Sequence, residues 1–347
     1  HMYTYSRPVH LALLVLLSLQ AWGEDAEKKA VDPKPAAPDA PAKPPAKPAS
    51  GLFSLSIEEL MNIQVTSVSR APEKVSEAAA AIHVITQEDL RRSGATSIAE
   101  ALRMAPGLNV ARMNAHRWAI SSRGFNSEFA NKLLVLMDGR SIYTPLVSGT
   151  FWDVQDTMLE DIERIEVIRG PGATLWGANA VNGVINIITR NAKDTQGGLV
   201  SAGAGNEEVG FGSVRYGVQP RKNVFIRGYV KYFERDDQAL ADGSDAADEW
   251  HMGRGGFRLD WDATKEDRVT FQGDAYAGEV GDSVPAATLA PPFLRNAVGD
   301  GIVSGGNLLG RYLFRHVLQA HDPAEAADLP NYLSNLSDFE LVFRHWM

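Results

Sequence analysis

The sequence predicts an α+β domain followed by an incomplete antiparallel transmembrane β-barrel segment. Three observations carry this prediction. Between residues 71 and 195, short apolar β-runs are interleaved with helix-capping signals. From Gly197 onward the pattern changes to strict alternation of apolar and polar residues. The connections between those alternating runs are unequal: Gly217 to Asn223 and Ala263 to Asp267 are short, whereas Glu234 to Trp250 is long and acidic. Soluble antiparallel sheets also alternate. Short turns on one side and long loops on the other are the habit of membrane barrels.

The N-terminus reads as a secretion signal over residues 1–23. Arg7 and His10 precede the apolar run Leu11 to Leu19, and Ala21-Trp22-Gly23 offers small residues for cleavage. That run is far shorter than the ~20 apolar residues that span a bilayer as a helix. Residues 24–51 form a Pro/Ala/Lys-rich spacer, with Pro33, Pro35, Pro38, Pro41, Pro44, Pro45 and Pro48 favouring an extended chain that buries no core. In residues 52–70, Ile57, Leu60 and Met61 suit one side of a helical turn, and Ile63 to Val68 switch to a β-prone pattern.

The α+β domain is expected over residues 71–195. Ala81 to Thr86 is an apolar strand. Thr86 followed by Asp89 caps a helix that ends at Gly94. Ser97-Ile-Ala-Glu100 opens a second helix, stopped by Pro106-Gly107. Leu102, Met104 and Leu108 are assigned to the core. Leu133 to Met137 is a continuous apolar strand closed by a tight turn at Asp138-Gly139. Asp156, Glu160, Asp161 and Glu163 read as a solvated face rather than a metal site. A β-run from Ile162 to Ile168 stops at Arg169-Gly170-Pro171-Gly172, and a second run follows from Val184 to Ile188. That glycine-rich turn lacks the spacing of a nucleotide loop and no helical pattern follows it.

In residues 196–347, three runs show the alternation best. Val224, Ile226, Gly228, Val230 and Tyr232 share a face opposite Arg227 and Lys231. Phe257, Leu259 and Trp261 oppose Arg258, Asp260 and Asp262. Val269, Phe271, Ala275 and Ala277 oppose Arg268, Thr270, Gln272 and Asp274. About five to seven strands are expected in all. After Gly310 the alternation degrades, and His321 to Pro330 reads as a loop.

The stretch from Ile162 through Arg169-Gly170-Pro171-Gly172 to Thr189 resembles the closing segment of the plug domain of TonB-dependent outer-membrane receptors. The elements before it, in the same order, resemble that domain from about residue 60. The resemblance implies a plug inside a barrel in the outer membrane of a Gram-negative bacterium, importing a scarce nutrient such as a siderophore, haem or cobalamin chelate. It implies TonB as partner, with Ile63, Gln64, Val65, Thr66, Ser67 and Val68 as the TonB box, which adds as a strand to TonB; an ordinary first strand of the plug is the alternative for that segment. The apical loops would bind ligand through Arg112, Asn114, His116, Arg117, Asn126, Ser127, Phe129, Tyr143, Phe151 and Trp152. Of these, Arg112, Asn114, His116 and Arg117 are expected to be exposed, while Phe151 and Trp152 suit a ligand surface and a packing role equally; Trp118 is assigned to the core. Arg123 and Arg169 would lock the plug to barrel glutamates from late strands. Plugged transporter barrels have about 22 strands, so the chain is expected to be a truncated form, and its open sheet edges would be costly in lipid.

Composition narrows the alternatives. The net charge of −9 argues against nucleic-acid partners, and the absence of cysteine excludes thiolate chemistry and cysteine metal sites. The eight histidines show no metal-binding spacing and no serine sits in GxSxG, so neither catalysis nor a cofactor is expected. The alternative is a soluble periplasmic binding or decoy module built on the plug fold.

Overall fold

A computed structural model describes residues 64–65, 73–74, 80–315 apart from 145, 171, 173–175, 266 and 292, and the backbone of 338–346. All of these lie in one of the chain's two units, Ala49–Met347. The expected signal peptide and spacer, and Ile63 and Thr66 to Val68, lie outside the described residues.

The α+β part is built on a five-stranded sheet ordered β3-β8-β9-β6-β7. Its strands are β3 (Ala81–Thr86), β6 (Leu133–Met137), β7 (Arg140–Ser141), β8 (Ile162–Arg169) and β9 (Gly183–Thr189). β6 runs parallel to β9 and every other pairing is antiparallel. After β3, helix α1 (Gln87–Ser93) starts at a reciprocal cap: Thr86 Oγ1 accepts from Asp89 N at 3.2 Å, and the Asp89 carboxylate accepts from Thr86 N at 2.9 Å. Gly94 ends α1 at φ 72°, a conformation open to glycine without penalty. Ser97 caps α2 (Ile98–Ala101), a single turn that tightens into a 3-10 turn at Leu102–Met104. The short length reflects Pro106, which forbids continuation.

Both faces of this sheet are covered. Ile85, Leu102, Ile120, Val135, Ile165 and Ile187 form the main core beneath α1 and α2, with Met104 and Leu108 packed at its margin. Leu134, Leu136, Ile168 and Val184 form a smaller cluster on the other face. This explains why Leu133 to Met137 is apolar throughout rather than alternating. A separate hairpin, β4 (Leu108–Arg112) and β5 (Trp118–Ser122), packs Trp118 and Ile120 into the main core. Gln64–Val65 (β1) pairs with Glu73–Lys74 (β2).

The second part is a seven-stranded antiparallel meander in sequence order: β10 (Gly197–Gly203), β11 (Gly210–Arg221), β12 (Val224–Arg235), β13 (Trp250–Asp262), β14 (Asp267–Ala287), β15 (Leu294–Arg315) and β16 (Asp338–Trp346). Among the described residues the order starts at β10 and ends at β16 without closing. β11 runs through Gly217 to Arg221, so the expected turn there shrinks to Lys222-Asn223. β14 and β15 are 21 and 22 residues long, well beyond the alternating run visible in the sequence. Glycine and small residues along them erase the apolar signal while leaving the ladder intact. Outward positions carry exposed Val214, Tyr216, Val230, Phe257, Trp261 and Phe271. Inward positions carry buried Arg215, Arg227, Arg254, Arg258 and Asp260. Among the described residues no helix is long and apolar enough to cross a membrane.

Candidate functional site

The inward residues of the meander form a seat for the α+β domain. Asp161 ends the 3-10 turn Leu159–Asp161 just before β8 and is 1% exposed. It forms an ion pair with Arg215 of β11, and Arg227 of β12 brings Nε within 3.6 Å. Asp156 receives Lys231 Nζ at 2.6 Å. Arg258 of β13 donates to Thr189 Oγ1 at 2.9 Å and Asn191 Oδ1 at 3.0 Å, while Asp260 accepts from Ala192 N at 2.7 Å. Asp156 and Asp161 are therefore not the solvated face the sequence suggested. Their counter-charges arrive from strands 75 and 54 residues further along, and only that pairing makes burial of the carboxylates tolerable.

Asp138 is the hub of the seat. At φ 48° it occupies the turn between β6 and β7. Its carboxylate accepts from Thr189 N and Oγ1 and from Gln272 Nε2, each at 2.8 Å, and its carbonyl accepts from Arg311 Nη2 at 2.5 Å. Burial pushes this carboxyl up, but Arg258 and the donors from Thr189 and Gln272 outweigh burial and hold it below the usual range. Sequence reading identified the turn but not this role.

The expected ligand loops separate into three environments. The β4–β5 tip is docked rather than free. Arg112 donates to the carbonyls of Asn114 (3.1 Å) and Ala115 (2.9 Å) and pairs with Glu207; Arg117 pairs with Asp282. His116, expected to be exposed, is 3% exposed, because β14 lies over it and its Nε2 meets the carbonyl oxygen of Gly281 at 3.0 Å. Asn114 Oδ1 accepts from His116 N and Arg117 N, which shapes the tip. Trp118 is buried, with the Arg103 and Arg112 guanidinium groups near its ring.

The second loop is open. Asn126 and Ser127 are exposed, and with Phe125, Phe129, Lys132 and Asn182 they line a cleft of about 320 Å³. Phe129 meets Phe151 edge-on, with ring centroids 5.3 Å apart. In the third loop Tyr143 and Phe151 are half-buried, whereas Trp152 belongs to the main core. Trp152 is thus a packing residue, buried in the same cluster as Leu133, Val135 and Ile165.

Arg123 is exposed at φ 57° and donates to the carbonyl of Arg169 at 3.4 Å. The Arg169 side chain packs on Gly107, and its buried Nε has no hydrogen-bond partner among the described residues. The ion pairs in the seat run mainly from arginines and one lysine of the meander to acids of the domain, the reverse of the polarity expected for Arg123 and Arg169. Val65 of the expected TonB box is buried, paired opposite Glu73. Among the described residues no group of three His, Asp or Glu side chains gathers to hold a metal.

An α+β domain seated on the charged inner face of a sheet whose outer face is apolar has the construction of a plugged outer-membrane barrel protein. Residues 74–184 match the TonB-dependent receptor plug domain. It is similar to the vitamin B12 transporter BtuB of Vibrio vulnificus, 32% identical over 173 residues, which are 48% of this chain and 27% of the relative. The BtuB of Vibrio cholerae is 32% identical over 154 residues, 44% of this chain and 25% of the relative. The chain therefore spans about a quarter of the length of these curated relatives. Among solved structures it resembles FpvAI in complex with pyocin S2 (TM-score 0.57, 16% identity, 73% of this chain and 35% of that one). It also resembles the ferric yersiniabactin uptake receptor FyuA of Yersinia pestis (TM-score 0.55, 19% identity, 74% and 41%).

Proposed function

We propose that this chain forms the plug and the first barrel strands of an outer-membrane receptor that imports a scarce metal chelate. The arrangement comprises a signal peptide (1–23), a spacer (24–51), a TonB-box region (52–70), a plug (71–195) and barrel strands from 196 onward. Ligand binds the open apical loops around Asn126, Ser127, Phe129, Tyr143 and Phe151. Residues 63–68 then become available in the periplasm, where TonB pairs with them through main-chain hydrogen bonds. TonB transmits the energy of the inner-membrane proton gradient and displaces part of the plug. No catalysis is involved.

The observation that carries this reading is the seat, in which buried Asp138, Asp156 and Asp161 of the plug are held by inward-facing cations and Gln272. The outward stripe of exposed Val214, Tyr216, Val230 and Trp261 supports contact with lipid over a soluble periplasmic decoy. Cobalamin is the first chelate to test, because the curated relatives at 32% identity are vitamin B12 transporters. Ferric siderophores and haem follow.

The test places the gene, with any sequence following codon 347 kept in frame, in a Gram-negative host lacking its own cobalamin and siderophore receptors. Uptake of labelled cobalamin or ferric chelate that stops without TonB supports the reading. Recovery of the protein in the soluble periplasm overturns it.

A further inference from the structure

The β4–β5 tip, residues 112–117, reaches three separate places at one end of the meander. Glu207 lies between β10 and β11, Asp248 between β12 and β13, and Gly281-Asp282 on β14 past the last β13 pairing at Val280. In a meander these positions share the end opposite the short turns at Lys222-Asn223 and 263–266. Four contacts make the attachment. Arg112 pairs with Glu207 and Arg117 with Asp282. Ala115 N donates to Asp248 Oδ2 at 2.6 Å, and His116 Nε2 meets the Gly281 carbonyl at 3.0 Å. Asp248 is 2% exposed and also accepts from Gln238 N at 2.8 Å, so the tip is tied to the body of the acidic loop.

Of the four, the histidine contact is the one that a mild change of conditions can break. The ring is sealed under β14 and near Trp250, with centroids 6.2 Å apart. A carbonyl can only accept, so Nε2 carries the proton in the docked state. Nδ1 is buried and has no partner among the described residues. A second proton on the ring would therefore sit on a buried nitrogen with no acceptor. We propose that residues 112–117 form an acid-released latch that fastens the plug tip to the loop end of the strands while His116 is neutral and lets go when it is protonated.

The charges facing His116 come from every element around it. Arg117 of its own loop opposes protonation, and Asp248 and Asp282 from the two flanking strand ends favour it. Burial is the largest influence; the hydrogen bond to the Gly281 carbonyl favours the protonated ring, but burial, helped by Arg117, outweighs it and holds the imidazole below its ordinary 6.5. The sign follows. The released tip binds a proton more readily than the docked tip, so acidification below about pH 6.5 favours release, by up to about tenfold in the released-to-docked ratio per pH unit. The latch concerns docking alone and does not depend on which ligand is carried.

The chain has no cysteine, so a single Met113→Cys substitution at an exposed position of the tip accepts one spin label. Labelled full-length chain in detergent micelles is read by electron paramagnetic resonance from pH 8 to 5. The expected result is an immobilised label at pH 8 and a mobile one in acid, with the midpoint below 6.5. Addition of His116→Gln, which can donate to the Gly281 carbonyl but cannot titrate, should hold the label immobile throughout. Histidine ring NMR of the unsubstituted chain gives a readout independent of that variant, and His116 should titrate in step with the label. A label mobile at pH 8, a label immobile at pH 5, or an acid transition that survives His116→Gln overturns the latch.

Discussion

Asp161→Asn should unseat the plug while leaving its internal packing intact. The substitution preserves size but removes the charge that Arg215 and Arg227 share, in a side chain 1% exposed. For Arg227, Nε at 3.6 Å and an effective dielectric near 20 give a gross attraction of about 4–5 kcal/mol. Part is offset, because Arg227 keeps its hydrogen bond to the Arg190 carbonyl at 2.8 Å. The remaining cost is dominated by two guanidinium groups left buried with less counter-charge, about 3–5 kcal/mol. Adding Arg215→Met should recover part of this, since one stranded charge disappears and its stem is replaced by apolar volume. The assay is hydrogen exchange of β8 and β9 amides in micelles, with denaturant midpoints for the three variants. An Asp161→Asn variant within about 0.5 kcal/mol of the parent, the range of ordinary surface changes, would refute the seat. So would a double variant less stable than the single one.

Three further outcomes test other levels of the argument. Val65→Pro removes a main-chain donor, so chelate uptake should be lost while surface binding persists; undiminished uptake would remove residues 63–68 as the TonB box. Gly183→Ala would drive a methyl group into the Ile168 carbonyl oxygen, backbone that cannot swing aside. It should cost about 1–3 kcal/mol or more and loosen the β8–β9 pairing, seen as faster proteolysis within the plug. Val230→Arg puts a charge on the outward face at a position 65% exposed, and in lipid should cost about 2–4 kcal/mol, read as reduced recovery in the outer-membrane fraction. Full recovery there would mean that this face does not meet lipid.

Elements whose cause is local are legible in the sequence. Thr86 with Asp89 and then Gly94 bound α1 because capping and a left-handed end are properties of neighbouring residues. The apolar run Leu133 to Met137 and the Asp138-Gly139 turn were readable for the same reason. The alternating runs in β12, β13 and β14 fixed which side chains face inward, since a period of two is a property of the strand. Strand length was not readable in β14 and β15, where glycines satisfy the ladder without leaving a hydrophobic trace.

The fate of the charges depends instead on long-range contacts. Nothing near Asp156 or Asp161 distinguishes them from the exposed acids of a loop; burial follows from Lys231, Arg215 and Arg227, supplied by strands far along the chain. Trp152 and Phe151 are adjacent, yet one joins the core and the other stays half-buried against Phe129. His116 looked like a loop histidine until β14 covered it. Local patterns report local geometry, whereas the environment of a polar side chain is set by whichever distant residues fold against it, and its partners there determine whether burial is affordable.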